Sequence, residues 1–529
     1  YKLIILLSGT IEALRKQTQE RIDEGFVGLN SRNVLSRDIE KKYVGVGLFD
    51  KQKTAFPLTD ILSDFDVRKL QALGFNAKSI NEPIVFVVKK NVTVLKNLFA
   101  WINSSLRDSE QERINAPLLL IDDEADNASI NTKKPDLDPT AINRSIRKIL
   151  HLFNRSTYLA VTATPFANIF INPDDDDDYP RDLFPSDFIY SLSPPDNYFG
   201  SSAIFGENPA YTDCIETIWD AEGVFSSSDR ASHIVTELPE TLKDSVGYFI
   251  LCNAIRDRRG NISDHRSMLI NVSPYTLPQE NVFDLVDSYL DRLQRDIKAY
   301  SKLGIAQVLK IETLKNLSRI WSEMDLDRKA DCSFESILSS LTESSLPIKV
   351  TMVNTKSKSR GLARLDYKPY EEHGYRVIVV GGNSLSRGIT LEGLCVSYFY
   401  RESKMYDTLL QMGRWFGYRP GYGDLVKIWM SERTNDWFEF INKACDELRS
   451  EINYMNKLGQ TPSDFGLKVL QHPNTLMITA SNKMRSAKPL ERWISLSGKL
   501  VETPWLMTRM IDYNNNLTRN FLDEIVADY

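Results

Sequence analysis

The sequence predicts an α/β fold carried by two parallel sheets. Short apolar runs of strand length recur at 3 to 7, 84 to 88, 118 to 122 and 158 to 163, and again at 267 to 272, 348 to 353, 376 to 381, 395 to 400 and 425 to 430. Runs without polar alternation belong to strands covered on both faces. Helical stretches such as Glu12 to Glu24 and Ala141 to Phe153 separate them, and strands alternating with helices build parallel sheets. At 529 residues the chain has room for roughly three or four domains with their own cores.

Residues 1–200 form the first expected domain. Its most informative run is Leu118-Leu119-Leu120-Ile121-Asp122-Asp123-Glu124-Ala125-Asp126, a buried strand delivering acids to its carboxyl end, where parallel sheets do chemistry. In nucleotide hydrolases one such acid holds Mg²⁺ and the next positions the attacking water. Asp123 is the candidate metal and nucleotide ligand, and Glu124 the candidate catalytic carboxylate. The competing reading is that these acids only cap a helix. Further along, Tyr158-Leu159-Ala160-Val161-Thr162-Ala163-Thr164-Pro165 is a second strand ending in two hydroxyl residues and a helix-blocking proline. The acids at Asp174 to Asp178, next to prolines, read as an exposed loop.

Residues 201–265 read as a helical bridge that includes Leu242 to Arg256, and residues 266–432 as the second sheet. An insertion at 279–345 is helical, with Val282, Leu285, Val286, Tyr289 and Leu293 on one stripe, better suited to core than to a docking arm. The strand at 376 to 381 runs into Gly381-Gly382 and then Ser386-Arg387-Gly388-Ile389-Thr390, where glycine backbone can approach an anion closely. Gly388 and Thr390 are candidate nucleotide contacts. The run Gln411-Met412-Gly413-Arg414-Trp415-Phe416-Gly417-Tyr418-Arg419 adds Gln411 as a further nucleotide contact. It also brings guanidinium groups able to meet charge developing on a transferring phosphoryl group. Arg414 is the first choice for that role and Arg419 the second; one of them could instead stack on Trp415 or Tyr418. Residues 433–529 form a C-terminal extension that motor logic does not explain.

Strand, acids, strand and Thr-Ala-Thr in this order resemble superfamily-two helicases, in which Thr162 and Thr164 would couple the nucleotide site to the nucleic-acid track. Together with Ser8-Gly9-Thr10, Leu14-Arg15-Lys16-Gln17-Thr18, Thr461-Pro462-Ser463-Asp464-Phe465-Gly466 and Thr479-Ala480-Ser481-Asn482-Lys483-Met484, these motifs resemble the Z1 domain family over most of the chain. The resemblance implies two RecA-like domains with ATP hydrolysed in the cleft between them, ATP and Mg²⁺ as cofactors, and a role in bacterial restriction-type defence. It further implies nucleic acid as partner, DNA before RNA, with a second ATPase of the gyrase-kinase-MutL type and a nuclease subunit. The family's name carries endonuclease activity. Two departures stand out: Thr390 occupies a position usually held by Asp, and the two arginines are five residues apart rather than three. No Gly-x-x-x-x-Gly-Lys-Ser/Thr loop occurs in the chain. That loop and its strand are expected upstream of Tyr1, so the first RecA-like domain is read as incomplete and the segment as a poor ATP hydrolase by itself. The alternative is a degenerate scaffold that keeps the two-domain shape without hydrolysis.

A net charge of −6 speaks against a protein that coats nucleic acid indiscriminately, though not against a basic track inside a cleft. Candidate contacts are Thr10, Arg15, Lys89, Lys90, Lys356 and Lys358. The five cysteines are scattered and expected as plain thiols, and the five histidines form no metal-binding pair. Glu40-Lys41-Lys42 and Glu402-Ser403-Lys404 match a short nuclease pattern but lack a placed partner acid. No apolar run approaches membrane-spanning length and no basic-then-apolar leader opens the chain, so the expected location is the cytoplasm.

Overall fold

The computed structural model describes residues 1–34, 41–72, 77–108, 110–133, 138–173, 181–225, 231–354, 365–382, 385, 390–473, 476–484, 487, 490 and 511–528. The acids at 174 to 178, Glu40, Lys356, Lys358 and Gly388 lie outside the described residues. Tyr1–Ser486 is one compact unit and Ala487–Tyr529 a second, the latter contributing the helix Ile511–Asp528.

The first sheet contains β1 (Leu3–Ser8), β2 (Phe56–Pro57), β3 (Ile84–Val88), β4 (Ile114–Asp123) and β5 (Phe153–Val161), in the order β2-β3-β1-β4-β5. All neighbours are parallel. The order puts β4 inside the sheet and leaves β5 at its edge, which explains their sequences. Leu118 and Leu120 on β4 are buried, whereas β5 exposes Asn154, Arg155 and Ser156 and so carries polar residues that masked its start at Phe153. Pro117 sits where the β4–β5 register shifts, a place that tolerates a residue without an N–H. Asn91 caps the helix Val92–Leu106 by accepting from the Thr93 and Val94 amides.

A short antiparallel pair joins β6 (Tyr198–Phe199) to β12 (Gly417–Tyr418). The second sheet contains β7 (Ile215–Thr217), β8 (Arg266–Asn271), β9 (Lys349–Val353), β10 (Arg376–Gly381), β11 (Leu394–Phe399) and β13 (Lys427–Met430), again parallel and in the order β7-β13-β11-β8-β10-β9. Every residue of β8, β10 and β11 is buried, as the unbroken apolar runs require. Two parallel sheets in one chain are the α/β architecture that the apolar runs predict. The segment 201–265 contains the helix Glu240–Arg258 and also supplies β7 to the second sheet, so it is more than a helical bridge.

The 279–345 region folds as helices Thr276–Tyr300, Ile305–Val308, Glu312–Glu323, Leu326–Ala330 and Phe334–Ser345. Its stripe is core: Val282, Val286 and Leu293 are buried, with Leu285 and Tyr289 packed beside them. The helix Glu432–Lys457 of the extension packs Phe438 against Phe205 and Trp415. Among the described residues no helix is long and apolar enough to cross a membrane. The cysteines are unpaired, with Cys214, Cys252 and Cys395 buried.

Candidate functional site

The site begins with the chain leaving β4. Asp122, the last buried carboxylate of the strand, accepts from the Tyr158 hydroxyl at 2.7 Å and pairs with the Lys90 ammonium at 2.7 Å, both side chains being fully enclosed. The Lys90 ammonium also donates to the carbonyls of Glu124 at 2.7 Å and Asn127 at 3.1 Å. Lys90 is therefore not a nucleic-acid contact, as its place after a strand suggested, but a pin from within the first lobe that shapes the acidic loop. Glu124 adopts φ 54°, a left-handed conformation that costs a side-chain-bearing residue roughly 1 to 2 kcal/mol. Such backbone persists when its surroundings over-determine it. Asp123, the last residue of β4, is exposed and accepts from the Glu124 amide at 3.0 Å.

The second lobe meets this loop through the helix Tyr406–Met412. Gln411 donates to the Asp126 carboxylate at 3.0 Å and to the Thr164 hydroxyl at 3.4 Å. Thr162 donates to the same carboxylate at 3.0 Å, and its hydroxyl accepts from the Thr164 amide at 3.0 Å. Tyr406, on the same helix, lies edge-on to Phe166 at 5.9 Å. Asp126, the two threonines and Gln411 thus form one contact between lobes, with Gln411 acting as a bridge rather than as an isolated nucleotide ligand. Asp126 is the residue that motif reading passed over. Its signal was its place at the end of the acidic run, but only the fold shows that it faces the other lobe.

Arg414 follows that helix. Burial pushes its guanidinium pKa below the ordinary value, and the Glu124 carboxylate, acting through charge, works in the opposite direction. The first choice of arginine and the proposed catalytic acid are therefore electrostatic neighbours across the two lobes. Arg419 has a different task. It donates to the carbonyls of Trp415 at 2.8 Å, Tyr418 at 2.8 Å and Arg414 at 3.5 Å, closing its own loop. Trp415 is not an arginine platform but a buried ring packed on Phe399 and Phe438.

An open cavity of about 1790 Å³ runs along the free edge of β5 and reaches Asp123, Glu124 and Thr162, with Tyr418 also in its lining. Among the described residues no group of three or more His, Cys, Asp or Glu could hold a metal. The exposed Asp123 still fits Mg²⁺, which keeps several waters and takes one or two carboxylates together with substrate phosphates.

The remaining candidates are dispersed. Arg15 is fully buried, bonded to Glu12 and to the carbonyls of Asp60 and Ile61, so it ties the first lobe together instead of facing a ligand. Lys89 pairs with Glu12 at 2.9 Å while keeping part of its side chain exposed. Thr10 and Thr390 are exposed. Arg256, which with Arg258 and Arg259 makes a further basic run in the sequence, is buried over the Tyr422 ring at 4.1 Å.

Comparison with known proteins gives one family. No curated protein matches the chain. Among solved structures, the chain is similar to the Mycobacterium smegmatis helicase Lhr bound to ssDNA and AMP-PNP, with 10% identity over 90% of this chain and 43% of that one, at a TM-score of 0.34. For the DEAD-box helicase Mss116 bound to ssRNA and UDP-BeF the values are 10%, 81%, 59% and 0.28. For the ATP-dependent Type ISP restriction-modification enzyme LlaBIII bound to DNA they are 11%, 92%, 29% and 0.27. The chain spans less than two thirds of each of these proteins. Residues 241–476 match the Z1 domain model, and this stretch holds every strand of the second sheet except β7 together with Gln411 and Arg414. The match to the Z1 domain model thus covers less than half of the chain and most of the lobe that carries Gln411 and Arg414.

Proposed function

We propose that this chain is the motor core of an ATP hydrolase directed by nucleic acid, DNA before RNA. We further propose that it serves a cytoplasmic bacterial restriction-type defence system beside a second ATPase and a nuclease subunit. One observation carries the reading: the second lobe reaches the acidic loop of the first both through Gln411, on Asp126 and Thr164, and through the charge of Arg414 on Glu124. A loop held this way can report the position of one lobe to the other.

In this reading ATP is the substrate and its terminal phosphate lies between Glu124 and Arg414. Glu124 orients the attacking water and takes its proton, and Arg414 offsets charge developing on the phosphoryl oxygens. Asp123 would hold Mg²⁺, which when bound neutralises charge on the phosphates. Thr162 and Thr164 carry a change at the acids to the lobe contact. Closing the lobes would complete the site, so nucleic acid that favours the closed arrangement would stimulate turnover.

The test is ATP hydrolysis by the full-length polypeptide with single-stranded DNA, duplex DNA or RNA. Nucleic-acid-stimulated turnover is expected in the wild type, with a loss of about 10³ in Glu124→Gln and an unchanged fold by circular dichroism. Equal turnover in that variant removes Glu124 from the chemistry. A wild type that binds partners without hydrolysing nucleotide leaves the scaffold reading in its place.

A further inference from the structure

The C-terminal extension returns to the lobe contact. Leu476 and Ile478 are buried in the second lobe's core, the Met477 amide donates to the Lys404 carbonyl at 2.7 Å, and the Met477 carbonyl accepts from the Tyr406 amide at 3.0 Å. Two residues on, the Thr479 hydroxyl donates to the buried Asp407 carboxylate at 2.8 Å. The segment is thus fastened to the start of the 406–412 helix, whose Asp407 and Gln411, four residues apart, share one face. From this base Lys483 crosses to the first lobe. Its ammonium lies 3.9 Å from Asp407 and donates to the Asp126 carbonyl at 2.8 Å.

We propose that residues 476–484 are a strap between the lobes and that Lys483 is a positioning residue for the acidic loop. The inference rests on the ATPase reading and deepens it. Asp126 is held twice by the second lobe: its carboxylate by Gln411 and its carbonyl by Lys483. Lys90 holds the flanking carbonyls of Glu124 and Asn127, but from within the first lobe. When the lobes part, the Lys90 bonds survive and the Lys483 bond does not. Lys483 therefore makes the backbone beside Glu124 sensitive to lobe position, which side-chain contacts alone would do less directly.

The test uses the full-length protein and the variants Lys483→Met and Lys483→Arg. Without nucleotide, amide hydrogen exchange at 124–129 is expected to quicken about tenfold in K483M and to return in K483R, with the thermal midpoint within about 2 °C of wild type. Under nucleic-acid stimulation, kcat for ATP should fall about tenfold in K483M with KM within about twofold, and K483R should restore it. Unchanged exchange at 124–129 overturns the strap. Altered exchange with wild-type kcat overturns the positioning role, because the contact would then be merely structural. If the wild type hydrolyses no ATP, the proposed function fails and the exchange result alone decides the strap. Should K483M not fold, Asp407→Asn, which removes the charge beside the Lys483 ammonium, is read by the same exchange and turnover measurements with the same outcomes deciding.

Discussion

The loop that leaves β4 and the loop from Gly413 to Arg419 face each other, yet they are built in opposite ways. The acidic loop is shaped from outside itself. Lys90, arriving from the end of β3, gathers the Glu124 and Asn127 carbonyls while neutralising Asp122. The guanidinium loop shapes itself, since Arg419 binds the carbonyls of Arg414, Trp415 and Tyr418. In each case one cation holds the backbone of the residue proposed to act, Lys90 that of Glu124 and Arg419 that of Arg414. A motif shows which charges are present, but not this division of labour.

Removing the charge assigned to chemistry breaks the comparison most sharply. Arg414→Ala should lower ATP turnover by about 10³, as loss of a transition-state guanidinium does, with little change in the thermal midpoint. Loss of fold instead of rate would place Arg414 with the architecture. The pin of the acidic loop comes next. Lys90→Met leaves the enclosed Asp122 carboxylate without its ion pair and should destabilise the protein by about 3 to 5 kcal/mol in urea unfolding. Retention of wild-type stability would mean the loop needs no internal pin. A smaller effect, about 1 to 3 kcal/mol, is expected for Arg419→Ala, which leaves loop carbonyls without a donor. Its turnover loss should be well below that of Arg414→Ala, and a larger one would exchange the two roles.

Much of the fold was legible because burial on both faces of a parallel sheet forces continuous apolar runs. β1, β3, β8, β10 and β11 fall where those runs lie. β5 was read late because an edge strand tolerates Asn154, Arg155 and Ser156, and β7 was missed because three residues at a sheet edge carry no pattern. Among the candidate site residues, Glu124 and Arg414 were legible as charges that follow apolar elements. Arg15 and Lys90 misled because a basic residue after a strand or turn looks the same whether it faces solvent or a buried carbonyl.

Apolar periodicity and the acidic string by themselves determined two parallel sheets and the strand that delivers acids to its end, since both follow from local spacing and burial. The tertiary structure alone decided which charges are tied up within the fold. Only when residues distant in sequence meet does Lys90 find Asp122, Gln411 find Asp126, and Lys483 reach across from the extension. A buried charge must be paired, and its partner is fixed by the fold rather than by the neighbours in the chain.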